Sequence, residues 1–310
     1  MSGPGRPVAS VVIPCFNQAH FLAESIESVL GQTYGEIDLV VVDDGSTDNS
    51  YEVAGRYPRA RRLRDPNRGV AAARNRGMRE ARGELLVFLD ADDRLLPEAV
   101  EIGMAALAKR PGIAFAAGMS RDIGEDGRVV REARQPLVTQ DHYARLLEDC
   151  FIWSGSSVLY RRSAIEAVGG FNEALDAGDD YELYLNVARR FPVFCHGAVV
   201  TEYRRHGSNT TRDAGRVLSS ELEVLRGQEA NLRDRRDREA WRAGLRNVRA
   251  RHGRILAAQA AAAWARREWG ATWRGLGTLL RHCPAALPHF VREAAGARPG
   301  SRATLAGADR

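Results

Sequence analysis

Asp90-Ala91-Asp92-Asp93 places three carboxylates within four residues, at the end of the apolar run Glu84 to Asp90. If that run is a strand, Asp90 and Asp92 project to the same side, because strand side chains repeat every second residue. Carboxylates this close repel one another unless they are solvated or neutralised by a cation. Hard oxygen ligands suit Mg²⁺ or Mn²⁺, which bind through one or two carboxylates together with substrate phosphates. A metal held there would neutralise a departing diphosphate. The plainer alternative is a polar loop or helix cap ahead of Pro97. Asp43-Asp44-Gly45-Ser46 also follows a hydrophobic run, where an acid could accept a hydrogen bond from a nucleobase imide or a ribose hydroxyl. A strand-to-helix turn capped by Asp and Ser explains the same residues. Asp179-Asp180 precedes a helical pattern carrying Leu183, Val187 and Ala188. It reads either as a helix cap or as a general base that the helix dipole keeps ionised.

Other residues gather around these acids. Arg68, Arg74 and Asn75 could help hold a diphosphate, although in a chain with 44 arginines any single one is more often a surface charge. Tyr203-Arg204-Arg205-His206-Gly207-Ser208-Asn209 joins cations to a Gly-Ser turn. There His206 is either a phosphate or metal contact or a solvated ring. Trp153 and Gly155-Ser156-Ser157 either line a sugar or acceptor pocket or, for Trp153, belong to the core.

The elements that must position these groups alternate. Val8–Pro14, Ile37–Asp43, Arg61–Arg64, Glu84–Asp90 and Ile113–Met119 read as strands. Helical spacing follows Phe21 to Leu30 and recurs over Asp48–Tyr57, Gly69–Ala81 and Pro97–Lys109. This alternation implies right-handed crossovers and a parallel sheet, whose ligands sit at the carboxyl ends of strands. Beyond a hairpin at Glu125-Asp126-Gly127 come helix Thr139–Asp149, strand Ser156–Tyr160, helix Arg162–Val168, a helix from Asp179 to Arg190 and strand Ala198–Tyr203. From Ala214 the pattern is helical and rich in Ala and Arg, broken at Pro284 and Pro288. The domain reading is a disordered start over 1–7, a catalytic α/β domain over 8–211, a helical extension over 212–298 and a disordered tail over 299–310.

Composition narrows the function classes. The 310 residues carry a net charge of +5, yet Arg212–Arg310 holds 20 Arg against 10 acids, which leaves the front of the chain at −5. The basic tail lacks interleaved aromatics and any recognised nucleic-acid module, so no nucleic acid is expected. Trp264, Trp269 and Trp273, with Leu276, Leu279 and Leu280, suggest peripheral contact with an anionic bilayer, a homodimer face or packing onto the catalytic domain. Four scattered cysteines and the absence of an apolar leader point to a reducing cytoplasm. No G-x-G-x-x-G follows the first strand, against a dinucleotide oxidoreductase.

Taken in order, VVIPCFNQAHFLAESIESVLGQTY, LVVVDDGSTDNS, NRGVAAARNRGMREARGELLVFLDADDRLLPEA and GDDYELYLNVARR resemble the family 2 glycosyltransferases with the GT-A fold. The resemblance covers Ala9 to Asn209. It implies an α/β fold with a mixed, mostly parallel sheet flanked by helices, followed here by the helical extension. It also implies inverting transfer from a nucleotide sugar, UDP-linked by preference, to a carbohydrate or lipid-linked acceptor in cell-surface polysaccharide synthesis. By the same resemblance Pro14 and Phe16, with Asn17 beside them, lie on the loop after the first strand that contacts the nucleobase. Asp44 recognises the base, Arg74 lies near the nucleotide, and Asp90 and Asp92 end the DXD signature with Asp92 as metal ligand. Asp180 is the catalytic base, with Asp179 where the family usually has Glu; Trp153 and His206 complete the expected donor site. The cofactor implied is Mn²⁺ or Mg²⁺. The competing readings are a non-catalytic sugar-nucleotide binder and a sugar nucleotidyltransferase, which should carry a Gly-rich, Arg-bearing first loop.

Overall fold

A computed structural model describes residues 8–296 except 208, 210 and 211. Two compact units divide the chain: residues 1–146 with 150–206, and residues 147–149 with 207–310. Expectations for the two termini lie outside the described residues.

The first unit is built on one sheet. Its strands are β1 Ala9–Cys15, β2 Ile37–Asp43, β3 Ala60–Arg64, β4 Leu85–Phe88, β5 Arg94–Leu95, β6 Phe115–Ile123, β7 Val129–Arg131, β8 Val158–Arg161 and β9 Phe194–Arg204. Their order is β3-β2-β1-β4-β8-β6-β9-β5, with β7 paired to β6. The half β3-β2-β1-β4 is parallel, β8 runs antiparallel to both neighbours, and β6 and β9 are again parallel. The sheet is thus mixed, as the resemblance implies. Helices α1 Ala19–Leu30, α2 Ser50–Ala54, α3 Val70–Glu80 and α4 Ala99–Lys109 form the crossovers of its first part. Helices α5 His142–Glu148, α6 Arg162–Ala167 and α7 Asp179–Arg190 follow.

Strand β1 explains the register of the rest. ASVVIPC is buried along its whole length, as expected of a central strand covered on both faces. The Val12 carbonyl accepts from Leu89 N on the β4 side, where strand pairing ends at Val12. Pro14, two residues on, points the same way, so its missing N–H costs no ladder bond. Leu22, Ile26 and Val29 of α1 bury in one cluster with Val11, Ile13, Leu39, Val41 and Leu89.

The helical expectations hold with trimmed ends, whereas one short strand, β5, escaped the sequence pattern. β5 spans two residues, too few for a period to register, and β7, of three residues, pairs back onto β6 across the expected hairpin at Glu125-Asp126-Gly127. Strand β9 begins four residues before the expected start, at Phe194.

The second unit is helical: α8 Ala214–Gly227, α9 Arg235–Ala265, α10 Trp269–His282 and α11 Leu287–Gly296. α9 is its spine and touches the other three. Small residues allow the close approach. A Cβ added at Gly275 of α10 would meet the Ala260 Cβ of α9 at 2.9 Å. Pro284 does interrupt the helices, but Pro288 sits in the first turn of α11, where a missing N–H is tolerated.

Candidate active site

The sequence clusters fall beyond the carboxyl ends of the parallel strands, and three of them are tied together by one side chain. Arg74, on α3, is 5% exposed. Its Nη1 donates to Asp179 Oδ2 and its Nη2 to Asp90 Oδ1, each at 2.7 Å. The guanidinium fork therefore spans the loop after β4 and the first turn of α7, a pairing that a point-charge lysine would not reproduce. Asp180 lies beside Asp179. Its Oδ1 accepts from Tyr181 N at 2.7 Å. A Cβ placed on Gly155 would come 3.4 Å from Asp180 Oδ2, 3.7 Å from the Tyr184 hydroxyl and 3.8 Å from Arg74 Nη2. Burial and the neighbouring Asp179 charge push the Asp180 carboxyl up to about 6. Partial burial first, and repulsion from Asp92 and Asp179 among its neighbours, also raise Asp90, although Arg74 pulls the other way.

Strand β4 ends at Phe88, so Asp90, Asp92 and Asp93 ride a tight loop and not a pleat. Because of this they diverge. Asp90 turns to Arg74, while Asp92 Oδ2 lies 2.7 Å from His206 Nε2. His206 is not a solvated ring: it is buried and stacks on Phe21 with centroids 5.0 Å apart. Asp93 is fully buried and accepts from Ser156 Oγ at 2.9 Å and from Arg204 N at 3.0 Å. Burial, with Asp92 and Asp90 close by, raises its carboxyl well above the usual range.

Asp44 is 4% exposed, and its two oxygens accept from the backbone N–H groups of Arg68 and Gly69 at 2.9 and 2.8 Å. Each oxygen retains a second lone pair for a ligand. Burial raises this carboxyl as well. Asp43 is the structural member of the pair: its Oδ1 accepts from Ser46 N and its Oδ2 lies 3.2 Å from Arg64 Nε.

Several expected contacts sit differently. Pro14 is inside β1 and buried, not on the loop after it. Asn17, in the left-handed region at φ 53°, spends its side-chain oxygen on Thr47 N at 2.8 Å, clamping the β1–α1 loop to the β2–α2 loop. Phe16 is 45% exposed at the mouth of that loop pair and stays available for stacking. Trp153, also 45% exposed, is not a core residue. Ser156 donates to Asp93 Oδ2 at 2.9 Å and Ser157 to Ser154 O at 2.8 Å, so of that stretch Gly155 is the residue beside Asp180.

Asp93 and Arg204 went unassigned in the sequence. Arg204 is fully buried. It donates to Asp92 O at 2.8 Å and to Glu24 Oε2 at 2.7 Å, and covers the Phe21 ring at 4.6 Å. A signal existed: counting by twos along β9 from buried Val200 puts Glu202 and Arg204 inward, and both are buried. Charges directed inward must be paired.

Residues 10–169 match the family described as Glycosyl transferase family 2. Among curated proteins, a chondroitin synthase of Pasteurella multocida (strain Pm70) is 28% identical over 223 residues, covering 66% of this chain and 21% of the relative. An uncharacterized glycosyltransferase of Nostoc sp. is 31% identical over 168 residues, 51% of this chain and 52% of that one. The chain thus spans only about a fifth of the length of the synthase it matches. Among solved structures, S. aureus TarS 1-349 in complex with UDP-GlcNAc superposes with a TM-score of 0.63 at 18% identity, over 77% of this chain and 71% of that one. The mannosyltransferase PcManGT from Pyrobaculum calidifontis, in complex with GDP-Man and Mn2+, gives 0.62 at 20% identity, over 94% and 80%.

Proposed function

The chain belongs to glycosyl transferase family 2, and on that premise we propose that it moves one sugar from a nucleoside-diphospho-sugar to an acceptor hydroxyl with inversion. The observation that carries this reading is the Arg74 bridge, which draws the Asp90 loop and the Asp179-Asp180 helix start to one place.

Asp180 serves as the base. Its Oδ1 is held by Tyr181 N, which leaves Oδ2, on the Gly155 side, to take the acceptor proton. The acceptor oxygen attacks the anomeric carbon as the bond from that carbon to the diphosphate oxygen breaks. A single displacement inverts the centre. Held near 6, the carboxyl is ionised at neutral pH yet basic enough to receive the proton. Asp44 takes the base or ribose and Phe16 stacks on the base. Asp90 and Arg74 lie near the sugar-diphosphate, and Trp153 offers an exposed apolar face to sugar or acceptor.

A divalent ion fits Asp92 and His206. The Asp92 carboxylate is the hard ligand that suits Mn²⁺ or Mg²⁺, and His206, hydrogen-bonded to it at 2.7 Å, would orient it or join the shell. No cluster of three or more such ligands exists among the described residues, so the diphosphate and water would complete the shell. When bound, the ion supplies charge neutralisation to the leaving diphosphate.

A UDP-sugar is the donor we favour, in keeping with the UDP-GlcNAc complex of TarS; the GDP-Man complex of PcManGT makes GDP the competitor. The acceptor is a carbohydrate or lipid-linked glycan of cell-surface polysaccharide synthesis, met in the cytoplasm at the inner face of the membrane. The test has two arms. Thermal shift with UDP, dTDP and GDP, with and without Mn²⁺, should single out one diphosphate whose effect needs the ion. Slow hydrolysis of the matching nucleotide sugar should then be lost in Asp180→Asn. Equal hydrolysis by both proteins, or no stabilisation by any diphosphate, would sink the reading.

A further inference from the structure

Helix α10 is put together in an unusual way for a soluble surface helix. Thr272, Gly275 and Leu279 are its buried residues, Gly275 closing on Ala260 of α9. Along one edge of the remaining surface runs an apolar stripe at helical spacing: Trp269, Trp273, Leu276 and Leu280. Trp269, Trp273 and Leu280 are 48%, 65% and 62% exposed. Trp264, at the end of α9 and 42% exposed, extends the stripe, its ring meeting Trp269 edge-on at 5.1 Å. A helix whose outward edge carries two tryptophans and a leucine leaves apolar area in water that a polar face would not.

We propose that this stripe is a docking surface for an anionic lipid bilayer, on which α10 lies flat. Three observations select that occupant. Indole rings have an apolar body and a polar N–H, the combination favoured at the boundary of headgroups and acyl chains. From Trp264 to Glu293 the chain holds five arginines against two glutamates. One of those glutamates, Glu268, is already paired with Arg266 at 2.8 Å. Arg274 and Arg281 each follow a stripe residue by one position and are exposed, so their guanidinium groups reach anionic headgroups while the stripe enters the acyl boundary. A second copy of the chain is the poorer occupant, since a twofold interface centred on this patch brings the same arginines against each other. No helix among the described residues is long and apolar enough to cross a membrane, so the contact is lateral.

The proposal does not depend on sugar transfer, and its test is separate. The full chain is floated with vesicles rich in phosphatidylglycerol and with pure phosphatidylcholine vesicles, at low and high salt, against the variant W269S/W273S/L280S. The expected results are binding to the anionic vesicles at low salt, a blue shift of tryptophan emission, and loss of binding by at least about tenfold in the variant. Equal binding by parent and variant would overturn the proposal, as would no binding by the parent. So would a concentration-dependent dimer in sedimentation velocity that the variant abolishes, which assigns the stripe to a second copy. The substituted residues lie in the helical unit, so circular dichroism and hydrolysis of the soluble donor should match the parent. A variant that unfolds is replaced by R274E/R281E, for which only the loss on anionic vesicles supports the idea.

Discussion

In the sheet unit Arg74 and Arg204 are enclosed, with exposures of 5% and 0%, and each has several acidic or carbonyl partners. In the helical unit the Arg235 side chain is 89% exposed and meets one glutamate a turn away. The same residue type thus serves two ends. At Arg74 and Arg204 an arginine replaces water around carboxylates that could not otherwise be crowded together; at Arg235 it keeps a helix surface charged. The number of arginines therefore says little, and partner count with burial says most. Removing a buried cation leaves its acids uncompensated, while removing an exposed one returns two groups to water.

The largest effect should follow removal of the charge these cations serve. Asp180→Asn is expected to lower the transfer rate by roughly 10²- to 10⁴-fold in a steady-state assay. Arg74→Leu should come next, costing about 3–5 kcal/mol in urea unfolding at neutral pH, because Asp90 and Asp179 lose their shared partner. If that variant costs no more than an exposed arginine does, the contrast between the units fails. A third outcome sharpens it through pH. Asp180 titrates near 6 in the folded chain against an ordinary 3.8, so the native state holds its proton the more tightly. Stability is then lost as pH rises from about 4 through 6, and activity, which needs the carboxylate, rises over the upper part of that range. Asp180→Asn should be more stable than the parent at pH 7.5, by on the order of 2 kcal/mol, and should lose that margin toward pH 4. A flat difference across that range would show that Asp180 is not strained. Smallest of all, Arg235→Ala should leave the melting temperature where it was, checked by calorimetry.

The order of elements was legible because the strands that matter are continuous apolar runs. IDLVVVD is buried from Leu39 and ELLVFLD from Leu85, and short runs of this kind between turn residues suit strands covered on both faces. Two of the acidic clusters were legible for a different reason: Asp43-Asp44 and the Asp90 loop end β2 and β4 at the point where a parallel sheet exposes its ligand edge, whereas Asp179-Asp180 opens a helix and carried no such signal. What the sequence hid was direction. A strand period put Asp90 and Asp92 on one side, yet the ladder stops at Phe88 and the loop turns one acid to Arg74 and the other to His206. Asn17 reads as a substrate contact in the sequence because it stands beside Phe16. Only the fold shows that it fastens Thr47. Partners drawn from 111 residues away, as Arg204 is to Asp93, leave no local trace at all.

Gly155 sets a size rule. With only a hydrogen on its α-carbon, the wall next to Asp180 Oδ2 stands back by the width of one methyl group. In the proposed mechanism an acceptor alcohol has to bring its hydroxyl to Asp180 Oδ2 past this recess, whereas a water molecule needs far less room. Widening the residue to valine should therefore change the product before it changes the rate. The sugar would still leave its nucleotide, but it would be handed to solvent, and a synthetic enzyme would become a wasteful hydrolase.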